Sequence, residues 1–459
     1  MGTKKMGLFS GVAVCVGLIV ATSCLISLGN GVGLAGSGFL LPLGIAMILN
    51  IFVAISFGEL HSLMPKVEGG LGQYTLAAIG PVPSIISNVS AYVLCMILAG
   101  GAEALMCGIV ISDVFLPSVN PAIISAAVVA ILFLTNLRGI DLFSKIQNVA
   151  VTLLIGSLAV MAVLSLFGLG SGQTVPAQVQ TAPAISGFGD LASLSAIAFW
   201  LFIGVEFIIP VAKNLKNAKR NVLLSMVVAL VILFVVQGAL GVGMTHYVTH
   251  EELSVSTMPH MLFAQNLMGD VGKYWMAFVT VLAVVSTLNT VLASSARIMG
   301  GMAGEKMLPK GLSLKNKKDV PFISLLFMGL AMLAVIISNP SDLIILILAG
   351  SCFWLVSYIF THINVLVLRR KYPDAPRNKK LVLFGIPQIL GIIGCVYMIV
   401  NIYPDPAIKA QIFSIFGIAF AVLVVFSVLW VWFGMKRSVF KAERIEDMAI
   451  ADEAVEAAE

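Results

Sequence analysis

The sequence predicts an all-α integral membrane protein with twelve transmembrane helices, and three observations carry that expectation. Of the 459 residues, 59% are hydrophobic and 11% charged, with a mean hydropathy of +1.04. A soluble domain carries roughly 25% charged residues, and this chain has too little polar surface to cover itself in water. The second observation is the spacing of apolar runs long enough to cross about 30 Å of hydrocarbon. The third is a strong asymmetry of Lys and Arg between alternate loops. Soluble enzyme, nucleic-acid binder and disordered scaffold are excluded as readings of the whole chain.

The apolar runs fall at 8–29, 38–62, 84–113, 121–136, 146–168, 190–212, 222–245, 274–299, 321–338, 341–368, 382–403 and 411–435. Gly, Pro, Asn and charged clusters fill the gaps between them. They are continuous rather than alternating, which excludes a β-barrel. Lys4 and Lys5 precede the first run, but no small-residue cleavage site follows, so it reads as a span and not a signal peptide. An N-terminus in the cytoplasm puts 25 of the 27 Lys and Arg residues inside and leaves Lys273 and Lys409 outside. Both termini are then cytoplasmic, as an even number of spans requires. The segment 437–459 reads as an acidic, Ala-rich cytoplasmic tail, a solvated helix or disorder, to which no function is given. The six cysteines (Cys15, Cys24, Cys95, Cys107, Cys352 and Cys395) lie in apolar runs without CxxC spacing, so neither a disulfide framework nor a metal site is indicated.

Ionisable groups inside spans are costly and point to function. Only Glu103 and Glu206 lie well inside, and no Lys or Arg does. The alternative for each is a protonated glutamate bonded to a neighbouring backbone carbonyl. Around Glu206 the chain reads Phe199-Trp200-Leu201-Phe202-Ile203-Gly204-Val205-Glu206 and continues to Pro210. Gly and Pro within one span predict a broken helix, whose freed backbone groups are tolerated only along a cavity. The run Thr22-Ser23-Cys24-Leu25-Ile26-Ser27-Leu28-Gly29-Asn30-Gly31 is similarly small and polar. It predicts an interruption in span 1 to match that in span 6, the pattern of a site built from two repeats.

At these residues the chain resembles the amino acid–polyamine–organocation (APC) transporter superfamily, from about Val14 to the twelfth span and less closely after span 10. Glu59-Leu60, Met64-Pro65, Gly69-Gly70, Tyr74 and Gly80-Pro81 are similar to the signature between spans 2 and 3. Trp200 through Glu206 resembles the span-6 signature. Lys216-Asn217 and Arg220-Asn221 follow it as in the family, without the family's two prolines. Ser295-Ala296-Arg297 and Gly304 through Pro309 resemble the end of span 8.

The resemblance implies a LeuT-like, five-plus-five inverted repeat, with spans 1–5 in 1–168, spans 6–10 in 190–368, and two extra helices in 382–436. It implies a central site between spans 1, 3, 6 and 8, worked by alternating access. The family's span-1 Gly-Ser-Gly, whose amides receive a substrate carboxylate, aligns with Ile26-Ser27-Leu28, and Gly29 is available in a shifted register. The span-5 lysine that replaces sodium in many relatives aligns with Leu154.

Substrate contact is therefore expected from Ser23, Ser27, Gly29, Glu103, Trp200, Ile203, Gly204, Glu206 and Asn289, with Glu103 and Glu206 as proton-coupling candidates. Trp200 reads either as core packing or as a substrate-facing wall. Span 8 is rich in hydroxyls and amides (Ser286, Thr287, Asn289, Thr290, Ser294, Ser295), which serve either ion contact or helix–helix bonding. His246 and His250 are four apart beside Glu251, but without a third ligand they read as a solvated loop. No cofactor or metal is expected. The leading function is a secondary transporter in the cytoplasmic membrane for amino acids or related amines, coupled to protons or working by exchange. The second reading is an amine, polyamine or ethanolamine permease, and a channel or non-transporting nutrient sensor is a different class. No enzyme motif is visible. The expected partners are the small substrate and the lipid bilayer, with no nucleic acid; homo-oligomerisation stays open.

Overall fold

A computed structural model describes residues 7–65, 71–138, 141–176, 185–338, 342–375, 383–446 and 448. Lys66, Gly69, Gly70 and the tail from 449 onward lie outside the described residues, as do residues 177–184 of the loop between spans 5 and 6. Among the described residues the chain is helical, with a single isolated bridge between Lys315 and Pro321 and no strand.

The helices run in order as α1 (Leu8–Ile19), α2 (Thr22–Ala35), α3 (Leu40–Leu63), α4 (Leu71–Ala78), α5 (Pro81–Val89), α6 (Met96–Val114), α7 (Pro121–Asn136) and α8 (Asp141–Leu166). They continue as α9 (Phe188–Phe199), α10 (Ala218–Tyr247), α11 (His250–Val255), α12 (Pro259–Gly304), α13 (Phe322–Ser338), α14 (Leu343–Lys371), α15 (Ile386–Val400) and α16 (Pro406–Leu429). Several starts are written locally. Asn120, Asp342 and Asp405 cap the first amides of α7, α14 and α16, and Thr249 with Glu252 forms a capping box on α11. A six-residue π-helical segment, Ser90–Cys95, joins α5 to α6.

Helix overlies each of the twelve apolar runs, and among the described residues seven helical segments are long and apolar enough to cross a membrane. Four more, Pro121–Asn136, Thr152–Leu166, Phe322–Ser338 and Ile386–Val400, are shorter and apolar. The segment Phe188–Ile209 and α14 are enclosed on nearly all sides, whereas α16 is mostly unenclosed. Ile418, Val422 and Val425 project from α16, a surface that water would not tolerate and lipid does. The chain is a multi-pass membrane protein.

Span 1 departs from expectation. The interruption falls at Val20 and Ala21, before the small polar run, and Thr22 through Ala35 is regular helix. The small residues there serve close packing instead. Gly29 lies against the Pro259 ring, and Gly33 against the backbone of Leu253 and Ser254. Asn30 donates to the carbonyls of Leu253 and Ser254, at 3.0 and 3.2 Å. Glycines in a lipid-embedded helix mark contact between helices as readily as a break. At about 1.5 Å per residue, the twelve residues of α1 rise about 18 Å, so α1 and α2 must act together to cross the bilayer.

The start of the tail is not free. The Val82 amide donates to the Val439 carbonyl at 3.4 Å, and the Glu443 amide to the Leu76 carbonyl at 3.2 Å. The Ile445 amide donates to the Tyr372 hydroxyl at 3.2 Å. Nearby, the Arg369 guanidinium forks onto the Glu59 carboxylate through Nε and Nη2, at 2.8 and 2.6 Å, with both side chains largely buried. Glu59, from the motif that ends span 2, thus ties α3 to the end of α14.

Candidate functional site

Two interruptions of regular helix meet at the centre of the molecule. In the first, Val20 and Ala21 are extended (ψ 93° and 160°) between α1 and α2. In the second, α9 passes into a 3-10 turn, Trp200–Phe202, and then Ile203 is extended at ψ 134°. Gly204 follows at φ +109°, a conformation that any side chain would strain. Beyond it, Val205–Asn214 continues as 3-10 turns. The expected break in span 6 is therefore present.

Side chains stitch the two breaks together. Trp200 donates from Nε1 to the Ser23 hydroxyl at 3.0 Å. The Ser23 amide, in the first turn of α2, donates to Glu103 Oε1 at 2.7 Å. The Cys24 thiol faces the Trp200 carbonyl at 3.8 Å, and Cys15 faces that of Val205 at 3.7 Å. Gln237 of α10 takes up the Leu201 carbonyl at 3.0 Å. Backbone groups freed by the second break are thus partly satisfied by neighbours, as a low-dielectric setting demands.

A cavity of about 70 Å³ lies between these breaks, α6, α12 and α14. Of the residues expected to contact substrate, Ser23, Glu103, Trp200 and Ile203 line it. The others do not. Ser27 is buried within α2, its hydroxyl without a partner, and Gly29 packs on Pro259. Both lie away from the cavity because the first break comes earlier in the chain than Ser27 and Gly29. Gly204 shapes the break through its backbone, its amide 3.4 Å from the Tyr358 hydroxyl. Glu206 does not line the cavity and accepts from Tyr358 at 2.7 Å. Asn289 bonds to Asn136 of α7 at 2.6 Å, while Thr287, Thr290, Ser294 and Ser295 of the same polar stretch face the cavity. Span 8 thus bonds to α7 through Asn289 and turns hydroxyls of the same stretch to the cavity.

Sequence reasoning missed Tyr92, Phe207 and Trp354 on the cavity wall. Their rings meet edge-on or tilted, with Tyr92 5.6 Å from both Phe207 and Trp354, and Phe207 6.1 Å from Trp354. Nothing in an apolar run distinguishes an inward aromatic from a lipid-facing one. The available sign for Tyr92 is its place in the π-helical segment, a geometry found often at functional sites.

The histidine pair also differs from expectation. His250 is buried rather than solvated, with Nδ1 3.2 Å from the Val32 carbonyl, and His246 reaches the Ser165 carbonyl at 3.3 Å. Among the described residues, no three His, Cys, Asp or Glu side chains gather as a metal site.

A family model described as amino acid permease matches residues 6–428. The chain is 24% identical over 426 residues to the branched-chain amino acid permease BcaP of Bacillus subtilis (strain 168), covering 87% of this chain and 88% of that one. It is also 24% identical over 445 residues to the b(0,+)-type amino acid transporter 1 of Mus musculus, covering 92% and 88%.

Proposed function

Because the chain belongs to the amino acid permease family, within the APC superfamily, we propose that it is a secondary active transporter of amino acids or closely related amines. It works by alternating access about the cavity between the two breaks. Its spans 1–5 and 6–10 form an inverted repeat followed by two further spans, twelve crossings in all. It resides in the cytoplasmic membrane with both termini inside, a placement that rests on the Lys and Arg asymmetry.

The observation that carries this reading is the meeting of two interrupted spans at one cavity, with a buried carboxylate, Glu103, and an indole, Trp200, in its wall. Such paired breaks place backbone dipoles at mid-membrane, where a polar solute needs partners. Both named relatives are amino acid transporters, which supports amino acids as the broad substrate class. Coupling to protons, or exchange, is favoured over sodium. Glu103 and Glu206 are carboxyl groups buried within spans, and ionisable side chains at that depth commonly serve proton transfer. Leu154 provides no span-5 positive charge.

Counterflow in proteoliposomes tests the reading. Vesicles loaded with unlabelled substrate should accumulate labelled substrate transiently and saturably. A channel would equilibrate without overshoot, and a sensor would bind without flux.

A further inference from the structure

We propose that Glu103 fills the anion seat at the first helix break, so that the cavity takes a small organic ammonium ion without a carboxylate. This deepens the transport reading and rests on it.

The first amides of a helix point outward without internal partners and form a ready site for an anion. At the start of α2 that seat is occupied from within the protein: the Ser23 amide donates to Glu103 Oε1 at 2.7 Å. Glu103 comes from α6, is 1% exposed, and leaves its other oxygen, Oε2, without a hydrogen-bond partner. It also lines the cavity. A carboxylate with one satisfied and one unsatisfied oxygen in a low-dielectric wall lacks a donor, and preferably a cationic one.

The rest of the wall agrees. Among the described residues, no Lys, Arg or His lines the cavity. A ligand carboxylate would find no counter-charge there, its helix-end seat taken, and a like charge beside it. An ammonium group finds the opposite: Glu103 on one side, and the rings of Tyr92, Trp200, Phe207 and Trp354 on the others. Aromatic faces attract cations, more strongly when water is excluded. The Trp200 Nε1 donor, which could have served an anion, is spent on the Ser23 hydroxyl. The volume of about 70 Å³ is far below the roughly 300–1,000 Å³ of drug-sized ligand pockets. That favours a primary monoamine of a few heavy atoms.

The test uses pairs of compounds that differ only by the α-carboxylate: 2-methylpropylamine with valine, 3-methylbutylamine with leucine, and ethanolamine with serine. Apparent affinities for the purified full chain are read from ligand-dependent thermal shifts, and flux from counterflow. The amine of at least one pair should bind about tenfold more tightly than its amino acid. Glu103→Ala, which vacates the seat, should narrow or invert that ratio. Glu103→Gln keeps an acceptor for the Ser23 amide but removes the charge, and should weaken amine binding about tenfold without improving amino acid binding. If Glu103→Ala does not fold, the wild-type ratios and the Gln variant decide. Wild-type protein that binds each amino acid as tightly as its amine, while still supporting counterflow, overturns the proposal and leaves the transport reading standing. Absence of both binding and counterflow across a wider panel of amino acids, amines and polyamines overturns both.

Discussion

The Tyr358 hydroxyl donates to the Glu206 carboxylate at 2.7 Å and lies 3.4 Å from the Gly204 amide. A single phenol on α14 therefore holds both the turn of the second break and the charged residue that follows it. Glu206 sits beside the second break and does not line the cavity.

Glu206→Gln removes the charge and keeps the size and hydrogen bonding. Transport should fall steeply, by about tenfold or more, while folding and membrane insertion persist. Tyr358→Phe should give a similar loss, and the double variant should be no worse than either single one, as for residues that act as a unit. Unchanged uptake by Glu206→Gln from mildly acidic to mildly alkaline pH would make it a purely structural glutamate.

Trp200→Phe keeps an aromatic wall and deletes the donor to Ser23. A lost neutral hydrogen bond costs about 1 kcal/mol, so thermal stability should drop modestly. KM should rise by about fivefold if the bond also sets the spacing of the two breaks. A Phe variant with wild-type KM and stability would show that the indole donor is dispensable.

The Glu59–Arg369 fork is buried, and removing one partner of such a pair strands the other, at a cost of about 3–5 kcal/mol. Arg369→Ala should strongly lower the unfolding temperature in detergent. Arg369→Lys should recover only part of the loss, because an ammonium cannot reproduce the two-pronged geometry. Equal stability of the Lys variant and the wild type would reduce the fork to a simple charge pair.

All six cysteines are buried, which leaves a quiet background for labelling. Gly172 is unsuitable as a probe site because a Cβ there would collide with the Asn266 carbonyl, but Gln173 is exposed. Gln173→Cys should react with an impermeant maleimide in intact cells, and Ser313→Cys only after permeabilisation. The reverse pattern would invert the proposed orientation.

Imposed gradients in proteoliposomes address coupling. Uptake should respond to an inward proton gradient or to counter-substrate inside. Uptake driven by sodium alone, and indifferent to both, would refute the preference for protons or exchange.

The helices were legible in the sequence because a bilayer demands long apolar runs, and the second break because Gly204 occupies a backbone conformation that nearly demands glycine. The first break carries no such mark. Val20 and Ala21 are merely extended, a conformation open to every residue, while the small, polar run from Thr22 to Gly31 that suggests a break is regular helix whose glycines are contact points. Glu103 was visible because charge is rare inside spans. Tyr92, Phe207 and Trp354 were not, since their roles depend on helix rotation, which composition does not record.

The strap formed by residues 439–445 across α4, α5 and the end of α14 has a consequence for biosynthesis. Its hydrogen-bond partners at Leu76 and Val82 are inserted early, whereas the strap is made only after α16. That end of the bundle stays unfastened until residues 439–445 have emerged and docked. A premature stop shortly after α16 would leave every span in place but the latch missing, a lesion visible to quality-control proteases rather than to the insertion machinery.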